Sequence, residues 1–229
     1  MIKARVARGK LAISAGIKYL LGAALVALLV FLPAGTLRFW QGWLLMAVLF
    51  VPMLILGTVL LVKSPELLEK RLASKEKQRT QQAVVKFSGL MFLCGFTVSG
   101  LAPRLGWRML PGWVSVAAAL IFLVSYGLYG EVMRENVWLS RTVEVREGQQ
   151  VVDTGLYGIV RHPMYAVTVP LFLSIPLILG SLWGFLIFCV YPLLLVLRIR
   201  NEEEVLEREL EGYSAYKMRV KYRMIPYLW

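Results

Sequence analysis

Six long apolar stretches dominate this sequence and limit the folds that the chain can adopt. They cover residues 12–33, 39–62, 84–102, 112–133, 165–181 and 184–199. A helix needs about 20 predominantly apolar residues to cross roughly 30 Å of hydrocarbon, and the last two stretches are shorter than that. Because backbone polar groups in lipid must be hydrogen-bonded within the protein, the sequence predicts an all-α, polytopic integral membrane protein with about six transmembrane helices. Hydrophobic residues make up 58% of the chain, which is typical of this class.

The last two stretches are separated only by the sequence GSLWG at 180–184. This short break predicts a C-terminal helical hairpin, which Pro170, Pro176 and Pro192 are expected to kink. The first stretch has no small-residue cleavage site before Pro33, so we interpret it as a retained helix and not as a signal peptide.

The positive charges are distributed unevenly between the two ends of the predicted helices. Of the 26 lysines and arginines, all but Arg38, Arg104 and Arg108 fall at the ends that share a side with both termini. The positive-inside rule then predicts cytoplasmic termini, in the plasma or inner membrane if the host is prokaryotic. Anionic lipid headgroups account for the net charge of +12, so we expect a lipid bilayer as partner and no nucleic acid.

Two parts of the chain are expected to form one structural unit. Residues 1–133 contain the N-terminal transmembrane helices and a connector at 63–82, whose leucines among charges predict an amphipathic helix on the bilayer surface. A solvated connector is the alternative. Residues 134–229 contain a polar loop, the hairpin and a C-terminal helix. The loop is predicted to be ordered and partly extended, because residues 141–146 alternate weakly in polarity and a turn follows them.

The sequence TGLYGIVRHPMY at 154–165 contains the single histidine of the chain. Pro163 favours extended geometry at His162 and starts the fifth apolar helix. His162 and Tyr165 are therefore predicted at a helix N-terminus, where backbone N–H groups favour an anionic ligand. The alternative is that Arg161 binds lipid headgroups, His162 caps the helix and Tyr165 belongs to the interfacial aromatic belt.

A second polar cluster, RIRNEEEVL at 198–206, follows the sixth apolar stretch. Arg198 and Glu202 are four residues apart and share one helix face. A cation where an apolar span has barely ended normally faces a bundle interior, a cavity or the headgroups. We therefore predict a polar pocket covered by the loop at 151–165, with an exposed charged stripe as the alternative.

Cys94 and Cys189 lie within apolar stretches without CxxC spacing or a nearby histidine. They are expected to be buried structural thiols, and no metal site is expected. Gly89, Gly95, Ser99 and Gly100 allow close helix contact, but the sequence predicts no oligomeric state.

The order of the motifs RHPxY, EExxL and GYxxY, from GLYGIVRHPMY through RIRNEEEVL to GYSAY and VKYRMIP, resembles the isoprenylcysteine carboxyl methyltransferase family and its phospholipid methyltransferase relatives. The resemblance covers residues 136–226. It implies an integral membrane methyltransferase that uses S-adenosylmethionine, with residues 134–229 as its core. The cofactor would be enclosed by the cytoplasmic loop and the last two helices, and no GxGxxG follows a predicted strand.

The resemblance also implies roles for individual residues. The residues expected to bind the cofactor are Gln150, Val151, Val152, Tyr157, Arg161, His162, Met164, Tyr165 and Glu202. Arg198 and Glu203 are the candidate catalytic residues, with Arg198 facing the methyl acceptor and Glu203 organising the site together with Arg161. Ala166 departs from the glycine often found after RHPxY.

The resemblance leaves the lipophilic acceptor open among a prenylated cysteine carboxylate, a phospholipid amine, a small thiol and another isoprenoid lipid. A membrane sterol or enone reductase that uses NADPH is an alternative, because that superfamily resembles this one in its C-terminal helices. A non-catalytic membrane protein is a further alternative.

Overall fold

The computed structural model describes residues 2–72, 79–140, 143 and 145–229. Within these residues the chain is helical and contains no strand, so the all-helical prediction is confirmed. The helices are α1 (Ile2–Ala34), α2 (Trp40–Lys63), α3 (Pro65–Leu72), α4 (Arg79–Arg104), α5 (Gly112–Glu135), α6 (Pro163–Ile178), α7 (Leu182–Phe188), α8 (Tyr191–Glu209) and α9 (Tyr213–Arg219), with a short 3₁₀ helix at Gly155–Gly158 between α5 and α6.

Five helical segments are long and apolar enough to cross a membrane, which makes this a multi-pass membrane protein. They are Gly9–Ala34, Trp40–Lys63, Gln81–Arg104, Gly112–Glu135 and Leu182–Glu209, the last of which combines α7 and α8. The remaining predicted span, the fifth in chain order, corresponds to α6, which has 16 residues. At 1.5 Å per residue it is about 24 Å long, shorter than the hydrocarbon core. The number of complete spans therefore remains a prediction.

The outer surface of the helix bundle is apolar. Leu20, Leu32, Ile55 and Leu120 are among many large side chains that are more than half exposed. Exposed apolar surface of this extent is rare on soluble monomers, and it fits contact with lipid chains.

Small residues on α4 let neighbouring helices approach closely. A side chain at Gly100 would meet the Val30 carbonyl oxygen of α1 at 2.5 Å, and one at Gly95 would meet the Phe188 ring of α7. Ser99 lies against Gly184 in the same way, whereas the space beside Gly89 is open. Three of the four small residues singled out in the sequence are thus used inside the fold.

The C-terminal hairpin turns at Gly180, whose φ is +69°. The Ser181 hydroxyl accepts a hydrogen bond from the Gly184 N–H (3.1 Å) and caps α7. The Gly180 carbonyl accepts a hydrogen bond from the Leu110 N–H (2.9 Å), which connects the tip of the hairpin to the α4–α5 connection. The helix is interrupted before Pro192, whereas α6 is continuous through Pro170 and Pro176.

The amphipathic helix predicted in the connector corresponds to α3. Leu67 and Leu68 are buried, and α3 contacts α1 and α2. The leucines therefore pack against protein and not against the bilayer surface, because α1 and α2 offer them an apolar surface at closer range. Residues 73–78 of the predicted helix lie outside the described residues, as do residues 141, 142 and 144 of the predicted extended stretch.

The expectation that the two thiols are buried is wrong. Cys94 on α4 and Cys189 between α7 and α8 are both exposed on the outside of the protein. The outward side of a membrane helix is as apolar as the protein interior. An apolar sequence around a cysteine therefore does not show whether the thiol is buried in the protein or exposed on its outer surface.

Candidate active site

The loop between α5 and α6 is held in place by contacts of its TGLYG segment with α5 and α9. The Glu135 carboxylate at the end of α5 accepts a hydrogen bond from the Leu156 N–H (2.9 Å). Gly155 has a φ of +54°, and Glu135 lies so close to it that a side chain would clash. The Tyr216 hydroxyl of α9 donates to the Tyr157 carbonyl (2.7 Å). The TGLYG sequence thus forms the turn that brings the loop onto α9.

Arg161 and His162 pair with the C-terminal segment through their backbones. The Arg161 N–H donates to the Tyr222 carbonyl (2.9 Å), and the His162 N–H donates to the Arg223 carbonyl (2.7 Å). Arg161 is only 7% exposed, and the His162 side chain makes no capping hydrogen bond to α6. The alternative in which Arg161 binds headgroups and His162 caps the helix is therefore wrong, because both side chains are buried within the protein.

Glu203 is the counter-ion of this buried cluster. Its Oε1 lies 2.7 Å from Arg161 Nε and 3.3 Å from His162 Nε2, and its Oε2 lies 2.8 Å from Arg223 Nε. Glu203 is 3% exposed. Removal of one partner from a buried ion pair typically costs about 3–5 kcal/mol, because the remaining charge is left uncompensated. Glu203 therefore holds the loop, α8 and the C-terminal segment together.

Tyr165 links Arg198 to Glu202. Its hydroxyl donates to Glu202 Oε2 (2.5 Å) and accepts from Arg198 Nε (2.8 Å). The Arg198 guanidinium also donates to Gln81 Oε1 of α4 (2.9 Å), and Gln81 is completely buried. Arg198 therefore faces the bundle, so the alternative of an exposed charged stripe does not hold for it.

The loop, α6, α8 and α9 enclose a first cavity, which we call the polar cavity. Its empty space measures about 790 Å³ including the open mouth. Every residue that the sequence assigned to cofactor binding lies on its wall, namely Gln150, Val151, Val152, Tyr157, Arg161, His162, Met164, Tyr165 and Glu202. The structure therefore brings this set together, from a loop and two helices that are far apart in the sequence.

Tyrosines from two elements complete the wall of the polar cavity. Burial raises the pKa of Tyr157, Tyr213 and Tyr216, so these hydroxyls remain protonated donors. The Tyr213 hydroxyl is buried and has no hydrogen-bond partner among the described residues. Buried polar groups are nearly always hydrogen-bonded. Tyr213 also lies on the wall of the polar cavity, so its hydroxyl is a candidate donor to a group that binds there.

A second cavity, which we call the apolar cavity, lies between α2, α4, α5, α6 and α8. Its empty space measures about 1490 Å³, and its wall is mostly apolar, with Leu49, Phe92, Leu171 and Leu194 among the lining residues. Ser140, Met164 and Tyr165 line both cavities. The first turn of α6 therefore forms the wall at which a polar compartment meets an apolar one.

The two candidate catalytic residues lie in different places. Arg198 lines the apolar cavity, whereas Glu203 lines neither cavity, because it is committed to the buried ion cluster.

Four residues that line or support the two cavities were not predicted from the sequence. Tyr213 and Tyr216 lie in the GYxxY motif, which marked them without a role, and Gln81 was a detectable polar residue at the start of an apolar helix. No sequence signal placed Arg71 on the wall of the apolar cavity. Among the described residues, no group of three His, Cys, Asp or Glu side chains is placed to hold a metal ion.

The helices and the two adjoining cavities define a multi-pass membrane protein with an internal site. Residues 111–211 match the family model described as phospholipid methyltransferase. This part of the chain is similar to that family of integral membrane methyltransferases, so the resemblance inferred from the motifs is confirmed over it. Every residue to which the sequence assigned a role lies within the matched segment.

The Delta(14)-sterol reductase TM7SF2 of Mus musculus is a curated relative, 33% identical over 91 residues. The alignment covers 38% of this chain and 22% of the mouse protein. This similarity gives weak support to a reductase, whereas the family match supports membrane methyltransferase activity.

Proposed function

We propose that the protein transfers a methyl group from S-adenosylmethionine to a lipophilic or membrane-associated acceptor. The observation that carries the proposal is the shared wall at Met164 and Tyr165, where a polar cavity meets an apolar one. A water-soluble donor and a lipophilic acceptor need two such compartments, with their reacting atoms close together at the boundary.

The residues of the polar cavity fit S-adenosylmethionine. Val151, Val152 and Leu206 provide apolar surface for the adenine ring, and Glu202 provides a carboxylate for the amino group or the ribose hydroxyls. Tyr213 offers an unpaired buried hydroxyl. The cavity thus combines apolar walls with a few polar groups, as small-molecule sites usually do.

When bound, S-adenosylmethionine would supply an electrophilic methyl group on its sulfonium, which would pass to a lone pair of the acceptor while the electrons of the broken S–C bond would stay on the sulfur of S-adenosylhomocysteine. The protein mainly has to position the acceptor. Tyr165, held by Arg198 and Glu202, fixes the boundary between the cavities. Glu203 acts as a positioning residue, because two arginines occupy both of its oxygens.

An ionised acceptor needs no general base, whereas an amine or a thiol must lose a proton. Glu202 accepts a hydrogen bond from Tyr165, and Glu203 is paired with arginines. An isoprenylcysteine-type carboxylate, oriented by Arg198, is therefore our preferred acceptor. We place the site on the cytoplasmic side, where the donor is available, because most positive charges lie at that end.

The reductase remains a second candidate because of its sequence similarity. Calorimetry on the purified protein in neutral detergent separates the two functions. We expect S-adenosylhomocysteine to bind and NADPH to show no binding, and Glu202→Ala to weaken the first by roughly tenfold or more through loss of a charged hydrogen bond. Binding of NADPH without S-adenosylhomocysteine would reject the methyltransferase, and binding of neither would favour a non-catalytic protein.

Incubation with methyl-labelled S-adenosylmethionine and a lipid extract would then identify the acceptor. We expect the label in a lipophilic product. A label that is released as methanol by mild base indicates a methyl ester, whereas a base-stable label indicates an amine or thiol acceptor.

A further inference from the structure

We infer that the turn at residues 224–229, which we call the C-terminal turn, lies in the interfacial layer of the bilayer with its exposed apolar side chains among the lipids. Its partner is a lipid surface that contains anionic headgroups. Through Arg223, which pairs with Glu203, this contact holds the end of the bundle that encloses the polar cavity against the membrane. The contact does not depend on which reaction the protein catalyses.

Backbone hydrogen bonds place the C-terminal turn at the level where α6 begins. Tyr222 and Arg223, just before the turn, accept from the N–H groups of the two residues that precede α6. The other end of α6 is bonded to the α4–α5 connection, where two membrane-crossing segments meet. Because α6 is only about 24 Å long, its first residue lies within the roughly 30 Å of hydrocarbon or at its boundary. The C-terminal turn therefore lies near that boundary.

The two ends of the C-terminal turn are anchored in the helix bundle. Met224 is 8% exposed and belongs to the same core cluster as Tyr165 and Ile199. Trp229 packs against this cluster, and the Arg223 Cζ lies 5.4 Å from the centre of one of its rings. The bundle thus fixes the first and last residues of the turn, so the residues between them are held beside it.

The backbone of the C-terminal turn is closed by its own hydrogen bonds. The N–H groups of Met224 and Ile225 both donate to the Trp229 carbonyl (3.0 Å each), and the Trp229 N–H donates to the Ile225 carbonyl (3.0 Å). Tyr227 has a φ of +64°, in the left-handed region that residues other than glycine seldom adopt. The turn therefore has one defined shape, in which Tyr227 and Leu228 are directed away from the protein.

The exposed residues are those expected at a membrane interface. Leu228 is 77% exposed and Ile225 is 43% exposed, so water around the turn would contact apolar surface that a lipid layer would cover. Tyr227 adds an aromatic ring with a hydroxyl, a combination that is enriched at the level of lipid headgroups. Lys221 is exposed and has no carboxylate partner among the described residues, so its ammonium can contact an anionic headgroup.

A depth measurement by spin labelling tests the inference. In a Cys94→Ala, Cys189→Ala background, a nitroxide would be attached at Leu228→Cys. Leu120→Cys, on the outer surface of α5, and Glu147→Cys, in the α5–α6 loop, provide references for lipid and for water. The full chain would be reconstituted in vesicles of phosphatidylcholine and phosphatidylglycerol. Oxygen, which dissolves in hydrocarbon, and a neutral, water-soluble nickel chelate then report the surroundings of each label.

We expect the nickel chelate to relax the label at position 228 at least roughly threefold less than the label at position 147, because a polar molecule is excluded from an apolar layer. Oxygen should relax the label at position 228 at least as strongly as the label at position 147. The label at position 120 should be the most protected from nickel. Equal nickel accessibility at positions 228 and 147 would overturn the inference.

The same labels distinguish other occupants of this surface. Protection from both oxygen and nickel would show that protein covers the turn, and this would overturn the inference. Spin–spin broadening that disappears on dilution with unlabelled protein would identify a second copy of the chain as the partner, with the same consequence. If Leu228→Cys does not fold, the measurement at Ile225→Cys decides.

Lys221→Gln tests the contact with anionic headgroups. In the parent protein, nickel accessibility at position 228 should be lower in vesicles with phosphatidylglycerol than in phosphatidylcholine alone, and Lys221→Gln should reduce this difference. Lys217→Gln removes the same charge from a lysine that is paired with Glu207, and it should retain the difference. An undiminished difference in Lys221→Gln would overturn the headgroup contact of Lys221.

Discussion

Glu202 and Glu203 are consecutive, but their carboxylates lie in different surroundings. Glu202 faces the polar cavity and contacts Tyr165, whereas Glu203 faces the C-terminal segment and contacts Arg161 and Arg223. Neighbouring side chains on a helix point about 100° apart, so adjacent residues reach different environments. The EExxL motif predicted that both matter, but it did not separate a cavity residue from a residue that holds the structure together.

Removal of the Tyr213 hydroxyl tests whether a ligand binds in the polar cavity. Because burial raises its pKa, its hydroxyl is protonated at neutral pH and can donate to a ligand. Tyr213→Phe should weaken binding of S-adenosylhomocysteine by about 2- to 10-fold, the equivalent of one neutral hydrogen bond. Isothermal titration calorimetry measures the change.

Tyr227→Phe is the matched control, because Tyr227 is 89% exposed. It should leave the affinity unchanged. Full affinity in Tyr213→Phe, with the fold intact, would show that the unpaired hydroxyl does not contact the nucleoside.

The residues of helix α4 have different structural roles along its length. Gln81 at its start supports Arg198, and Gly95 and Gly100 further along allow close packing against α7 and α1. Gly89 faces open space and lines the apolar cavity. Small residues in an apolar helix predicted close contacts, but not which of them would face a cavity, because this depends on how the neighbouring helices are arranged.

Two alanine variants of α4 should therefore differ in stability. Gly95→Ala places a methyl group against the Phe188 ring, and overpacking of this kind typically costs about 1–3 kcal/mol. Gly89→Ala meets no neighbour and should be neutral or stabilising by up to about 1 kcal/mol, because alanine favours the helix. Thermal unfolding in detergent measures both, and equal melting temperatures would contradict the packing of α4 on α7.

The complete bundle has two distinct ends. Gly35 lies against Arg104 and Gly180 against Met109, so the α1–α2, α4–α5 and α6–α7 connections meet at one end. The loop between α5 and α6 and the C-terminal segment meet at the other. This arrangement agrees with the clustering of lysines and arginines in the sequence, and cytoplasmic placement of the second end remains our prediction.

Cysteine labelling tests the orientation. In a Cys94→Ala, Cys189→Ala background, Glu147→Cys marks the loop end and Leu105→Cys marks the opposite end, and both positions are exposed. A membrane-impermeant maleimide should label Glu147→Cys only in inverted vesicles and Leu105→Cys only in right-side-out vesicles. The reverse pattern in an active protein would show that the site is not cytoplasmic.

The membrane class, the helical secondary structure and the resemblance of residues 111–211 to a methyltransferase family followed from the sequence, because apolar length and motif order are properties of contiguous residues. The burial of Arg161 against Glu203, 42 residues away, did not follow from it. Nor did the support of Arg198 by Gln81, 117 residues away, or the presence of Arg71 in the apolar cavity. These contacts join helices that pack together only in the folded chain, so local sequence patterns do not indicate them.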